Sequence, residues 1–137
     1  MFWRLSYVST ARCRDLGEDL RSILDKSRNN NARNGVTGVL LLAGGCFFQT
    51  LEGYKDEVAS TFARIDRDPR HDGVIVLQNE AVDLRAFAAW SMAHRDLPPG
   101  HEISGKVAQL AAGGKPAFRT RAAAQEMDIL ITSFLTV

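Results

Sequence analysis

The run Val39-Leu40-Leu41-Leu42 constrains this chain more than any other stretch. Four consecutive apolar residues leave no polar face, so a strand built from Val36 to Leu42 must be covered on both sides. Asn34-Gly35 before it and Ala43-Gly44-Gly45 after it are turn signals. Cys46 to Leu51 continues as the second arm of a hairpin. The fold must therefore place layers on both faces of a sheet.

The surrounding pattern supplies those layers. Trp3, Leu5, Tyr7 and Ser9 alternate with Arg4, Ser6 and Val8, which predicts a first strand. Leu16, Leu20, Ile23, Leu24, Ser27 and Asn31 fall on one helical stripe. Val58, Phe62 and Ile65 mark a second helix that stops near Asp68-Pro69. Val74 to Leu77 reads as a fourth strand, and Phe87 to Ala93 as a fifth segment, helix or strand by pattern alone. The 137 residues fit one core. The order β-α-β-β-α-β-β predicts an α+β, ferredoxin-like sheet with two helices on one face. Pro98-Pro99-Gly100 is the clearest break and divides residues 1–97 from a helical extension over 98–137. Met127, Leu130, Ile131, Phe134 and Leu135 form an apolar stripe there. Its helices are the expected cover for the second face.

Composition narrows the function classes. Seventeen basic and 16 acidic residues give a formal net charge of +1, interspersed rather than blocked, so no nucleic-acid partner is expected. The two cysteines, Cys13 and Cys46, form neither a metal pair nor a disulfide scaffold. His71, His94 and His101 share no ligand spacing, so no metal is expected. The apolar stretches fall far short of the ~20 residues a membrane helix needs, and the first residues lack a signal-peptide pattern. The expectation is a soluble, cytoplasmic protein.

Two placements stand out as polar where a core is expected. Ser27 and Asn31 continue the apolar stripe of the first helix, with Asn30 beside them. A buried amide without partners costs about 1–3 kcal/mol, so these groups either cap the helix end or hold a ligand; local chemistry supports both equally. In the third strand Phe47, Gln49 and Leu51 share one face, and Phe48 and Thr50 the other. Gln49 thus lies between apolar neighbours, with Tyr7 at the matching position of the first strand. A phenol and an amide can satisfy each other in a core, and a plain structural pair is the simpler reading of those two residues alone.

Five ordered segments add a family resemblance. Leu5-Ser6-Tyr7-Val8-Ser9, the run from Ser27 to Leu41 containing Asn30-Asn31 and Thr37-Gly38, and Phe47-Phe48-Gln49-Thr50-Leu51-Glu52-Gly53 resemble BLUF (blue light using flavin) domains. Arg64-Ile65-Asp66-Arg67-Asp68-Pro69-Arg70-His71 and Arg85-Ala86-Phe87-Ala88-Ala89-Trp90-Ser91-Met92 complete the set. Ser6 and Leu42 depart from the usual pattern, where a larger apolar and an aromatic residue are expected.

The resemblance implies a blue-light photoreceptor, not an enzyme, with a flavin between the two helices and over the sheet. FAD is the family expectation, with FMN or riboflavin as alternatives. Carried over by motif, Asn31 holds the ring's polar edge with support from Asn30, and Ser27 lies on the same stripe. Gln49 faces the flavin and is bonded to Tyr7, while Ile23, Leu40 and Phe47 are walls. Arg64, Asp68, Arg70 and His71 lie where the far end or the phosphate tail falls. Light-driven electron and proton transfer from Tyr7 rearranges the Gln49 hydrogen bonds to a red-shifted signalling state. Output passes through the fifth strand, where Trp90 and Met92 alternate onto one face and either can reach Gln49. The expected partners are a separate downstream signalling protein and a second copy of the chain, in a homodimer or higher homo-oligomer. A flavin-dependent oxidoreductase and a flavin-free interaction module are the competing classes.

Overall fold

A computed structural model of the protein describes residues 1–13, 16–43, 45–88 and 92–97, together with Gly105 and Val107. The elements are β1 (Phe2–Ala11), α1 (Leu16–Asn34), β2 (Thr37–Ala43), β3 (Cys46–Gly53), α2 (Lys55–Asp66), β4 (His71–Val82) and β5 (Ala93–Leu97). Five strands form one sheet in the order β4-β1-β3-β2-β5. The first four are antiparallel, and β5 runs parallel to β2. This is the expected ferredoxin-like α+β arrangement.

The expected hairpin forms from β2 and β3. Ala43 pairs with Cys46 across the two-residue turn, where Gly45 takes a φ of 79° that other residues rarely adopt. Gly38 pairs with Leu51, and a Cβ added there would overlap the Thr50 carbonyl oxygen. The two strands approach so closely that only glycine fits.

Leu40, Leu42, Phe47 and Leu51 pack with Leu5, Tyr7, Leu20, Leu24 and Val58 in one core between the sheet and the helices. Val8, Val39, Leu41 and Phe48 lie on the opposite face and are buried as completely. The run Val39–Leu42 is thus covered on both sides, as its composition demands. Ser6 also points to that second face, where its hydroxyl meets the Thr50 hydroxyl at 2.9 Å; this explains a small polar residue in a buried strand. Val107, in helical conformation, is fully buried. The predicted C-terminal helices otherwise lie outside the described residues.

Two boundaries differ from expectation. The fourth strand is not limited to Val74–Leu77 but runs from His71 to Val82. It pairs with β1 along nearly its whole length, with irregularities at Ser6/Tyr7 and Val8/Thr10. Pairing there is carried by the backbone, so polar residues such as Asp72 and Asn79 join a strand that the apolar pattern does not mark. The fifth strand begins only at Ala93, opposite Val39. Phe87 and Met92 are buried in the bends before it. Their apolar character reports burial and not strand pairing; the expected alternation of Trp90 with Met92 involves Trp90, which lies outside the described residues.

Candidate functional site

The sheet and both helices enclose a cavity of about 460 Å³, a size ordinary for a small-molecule site. From α1 come Ile23, Lys26, Ser27, Asn30 and Asn31, and from the sheet Tyr7, Leu40, Phe47, Gln49 and Leu51. From α2 and the turn after it come Thr61, Arg64, Ile65, Asp68, Arg70 and His71. The helical spacing of 23, 27, 30 and 31 turns one face of α1 inward. Its polar lower half then faces the cavity rather than core, which accounts for the change in character of that stripe.

Tyr7 and Gln49 face one another in the β1–β3 register. The Tyr7 hydroxyl donates to Gln49 Oε1 at 2.5 Å, and both residues are buried. Burial is the main cause that pushes the Tyr7 phenol far above its ordinary range, with Asp68 and Asp66 adding to it. Tyr7 is therefore a protonated donor at any working pH. Gln49 Nε2 donates to the Met92 sulfur at 3.4 Å. The carboxamide is thus gripped at its oxygen by a phenol and at its nitrogen by a thioether. Of the two output residues considered, Met92 reaches Gln49, while Trp90 lies outside the described residues.

Asn31 is buried, and its carbonyl accepts from Val36 N at 3.2 Å. Its backbone closes the helix end while its side chain lines the cavity. Asn30 is half-buried and accepts from Arg33 at 2.9 Å. His71 opens β4 with both ring nitrogens engaged: Nδ1 lies 2.7 Å from Ser9 Oγ and Nε2 2.6 Å from the Ile65 carbonyl. Its ring stands edge-on to Tyr7 and Phe47. Asp68 and Arg70 form a fork, with Nε and Nη2 of Arg70 on the carboxylate at 2.6 to 3.1 Å. That hydrogen bonding holds the Asp68 carboxyl below its ordinary value. Arg64 is exposed and touches only Thr61 Oγ1, at 3.5 Å, among the described contacts.

All eleven sequence-predicted lining residues and Tyr7 meet at this one cavity. Lys26, Leu51, Thr61 and Ile65 line it as well and were not predicted. Lys26 looks solvated because it neighbours the apolar stripe without belonging to it. Thr61 was findable, as a small polar residue one turn before Ile65 on the inner face of α2. Among the described residues no group of His, Cys, Asp or Glu could hold a metal.

The family described as sensors of blue-light using FAD matches residues 2–93, more than half of the chain. The chain belongs to the BLUF family. BLUF domains are sensory modules for blue light that use a flavin. The photoactivated adenylate cyclase subunit beta of Euglena longa is 36% identical over 89 residues. That stretch is 64% of this chain and 10% of the relative, so the chain spans about a tenth of the length of such curated relatives. The blue light- and temperature-regulated antirepressor BluF of Escherichia coli is 31% identical over 97 residues, 71% of this chain and 24% of that protein. The photo-activated state of BlsA is similar over 96% of this chain and 95% of the other, with a TM-score of 0.80 and 30% identity. The dark-state structure of the BLUF protein BlrB covers 96% of each chain, with a TM-score of 0.77 and 28% identity.

The cavity fits the family's cofactor. A flavin ring is flat and largely apolar with one hydrogen-bonding edge. Ile23, Leu40, Phe47 and Ile65 offer apolar walls, while the amide residues Asn31 and Gln49 line the same space. Arg64 and Lys26 add cationic groups that suit a phosphate tail.

Proposed function

We propose that this BLUF domain converts blue light into a rearrangement of the Gln49 carboxamide, with Tyr7 as the group that drives it. The reading is carried by one observation: a buried Tyr7–Gln49 hydrogen bond of 2.5 Å at the wall of the cavity. Asn31, supported by Asn30 and Ser27, would hold the flavin edge. Ile23, Leu40 and Phe47 would wall the ring, and Arg64, Asp68, Arg70 and His71 would border its far end or tail. A bound flavin supplies the blue absorption and an acceptor for one electron.

The chain's own residues do the rest. Tyr7 is a neutral phenol held against an amide oxygen. Removal of an electron makes a phenol strongly acidic, so its proton passes along the short contact to Gln49 Oε1; return of the electron and of a proton to Tyr7 then restores the neutral phenol and leaves a neutral amide in its new arrangement. Rotation or tautomerisation of the amide then exchanges what it offers to its neighbours, since an amide has a donor side and an acceptor side. Met92, at the amide nitrogen, feels that exchange first. The weak N–H···S contact there is given up easily, which suits a switch.

The finer assignments belong to the same proposal. FAD is the flavin, as the family description has it; a related structure, BlrP1 of Klebsiella pneumoniae, is described with FMN. The photoreceptor domain spans residues 1–97, and 98–137 form an output extension that covers the second face and contacts a second copy of the chain. Its output acts on a signalling effector, a reading supported by relatives named as a photoactivated adenylate cyclase subunit and an antirepressor, and we place that effector on a separate cytoplasmic protein. Among the described residues no helix is long and apolar enough to cross a membrane.

Tyr7→Phe and Gln49→Leu test the mechanism. Each purified variant should keep its yellow flavin and lose the light-induced red shift. A full, reversible shift in either one refutes the assigned roles.

A further inference from the structure

Two side chains outside the cavity, Glu52 and Arg28, bond to the backbone on either side of the run that carries Met92 to Gln49. Glu52 lies three residues beyond Gln49 on β3, on the opposite face of the sheet, and its side chain is fully buried. Its Oε1 accepts from the backbone N–H of Phe87 at 2.7 Å, and its Oε2 from that of Ala86 at 2.9 Å. Arg4 Nε completes the set on Oε2 at 2.8 Å. Phe87 itself is buried. A carboxylate bonded to backbone N–H groups makes a stronger hydrogen bond than a neutral acceptor, and those N–H groups need a partner once the loop is packed. At the other end of the run, Arg28 Nε of α1 donates to the Met92 carbonyl at 3.2 Å.

We infer that Glu52 and Arg28 are positioning residues for the Gln49 switch: they pin the two ends of the run Phe87–Met92 and so set the Met92 sulfur on the Gln49 amide. The inference rests on the light-switch reading above. It assigns to β3 two tasks on two faces, the switching amide at 49 and the anchor of its thioether partner at 52. It also ties α1, which carries Ile23, Ser27, Asn30 and Asn31 of the cavity, to the segment entering β5. With the pinned arrangement taken as the dark one, loosening either pin weakens what the return of Gln49 regains. Dark recovery should then slow.

The experiment measures flavin absorbance after a blue flash in the full chain, for wild type, Glu52→Gln, Arg28→Met, Met92→Ala and the two double variants with M92A. Glu52→Gln replaces the carboxylate with a neutral acceptor, and R28M removes the second pin at an exposed position. E52Q and R28M should each bind flavin and recover about fivefold or more slowly, the scale expected from weakening one charge-assisted bond. In the M92A background neither change should alter the rate, because the residue they act through is gone. Wild-type recovery in E52Q and R28M overturns the inference, and so does the same slowing with Met92 removed. Should E52Q fail to fold, R28M alone and with M92A decides by the same criteria. Loss of amide protection at Ala86 and Phe87 in E52Q, read by hydrogen exchange, separates a loosened anchor from a general loss of stability. A wild-type protein with bound flavin but no reversible shift refutes the light-switch reading itself. A shifting wild type with indifferent variants refutes only the pins.

Discussion

At the scale of single residues, Gln49 and Asp68 show two opposite uses of a polar group inside a fold. Gln49 is buried, yet one of its two amide bonds goes to sulfur, a weak acceptor. Asp68 is tied to Arg70 by short charged bonds and to its own backbone turn, with Arg70 N donating to Oδ1 at 3.0 Å. The first arrangement is easily exchanged and the second is fixed. Asp68→Asn keeps the turn, since an amide oxygen still accepts from Arg70 N, but loses the ionic fork. Because the folded Asp68 carboxyl titrates below its unfolded value, its contribution is complete above the ordinary carboxylate range. It is lost as pH falls through the folded value. D68N should therefore be less stable than wild type near neutrality, by about 1 kcal/mol or less for a partly exposed pair. Denaturant melts taken at successively lower pH should show that gap closing below about pH 4. A gap that stays constant with pH would assign it to packing.

At the scale of elements, Gly38 shows what the chain demands of its hairpin. The β2–β3 approach leaves no room for a Cβ beside the Thr50 carbonyl, and the obstacle is backbone, which cannot rotate away. Gly38→Ala should cost about 3 kcal/mol, the upper end of overpacking, and lower the melting temperature by roughly 10 °C. Thermal unfolding followed by circular dichroism measures it, and a melt within a degree or two of wild type would mean that the strands part freely. The alternation of Phe47, Gln49 and Leu51 and the stripe from Ile23 to Asn31 are legible in sequence because they follow the periods of strand and helix. Those periods show which side chains face inward, but they leave cap and ligand equally open for Asn31 and a structural pair as the simpler reading of Tyr7 and Gln49; the resemblance to BLUF domains is what made a flavin site legible there, and it did not reach Lys26 or Thr61. The ends of β4 and β5 were not legible. They are fixed by pairing with β1 and β2, which depends on backbone groups common to every residue, so the polar half of β4 gave no apolar signal. Phe87 and Met92 misled in the other direction, since both are buried without belonging to a strand.

At the scale of the whole molecule, the second face of the sheet decides how the domain is built. Val8, Val39, Leu41 and Phe48 are each 1% exposed or less, and each contributes about 1.5–3 kcal/mol by leaving water. Their sum approaches the entire net stability of a typical domain, about 5–15 kcal/mol. Whatever covers them is therefore a condition of folding and not an ornament. Val107 is buried and helical, and it follows the Pro98-Pro99-Gly100 break in the chain, which favours the extension as that cover. A chain ending at Pro99 should then be recovered as aggregate, or as a flavin-poor species with a far lower melting temperature, on size-exclusion chromatography. A truncated chain that stays soluble, holds flavin and melts like wild type would remove the covering role. It would leave the extension free to act only as an interface, and the light signal at Met92 would then have to leave the domain by β5 alone.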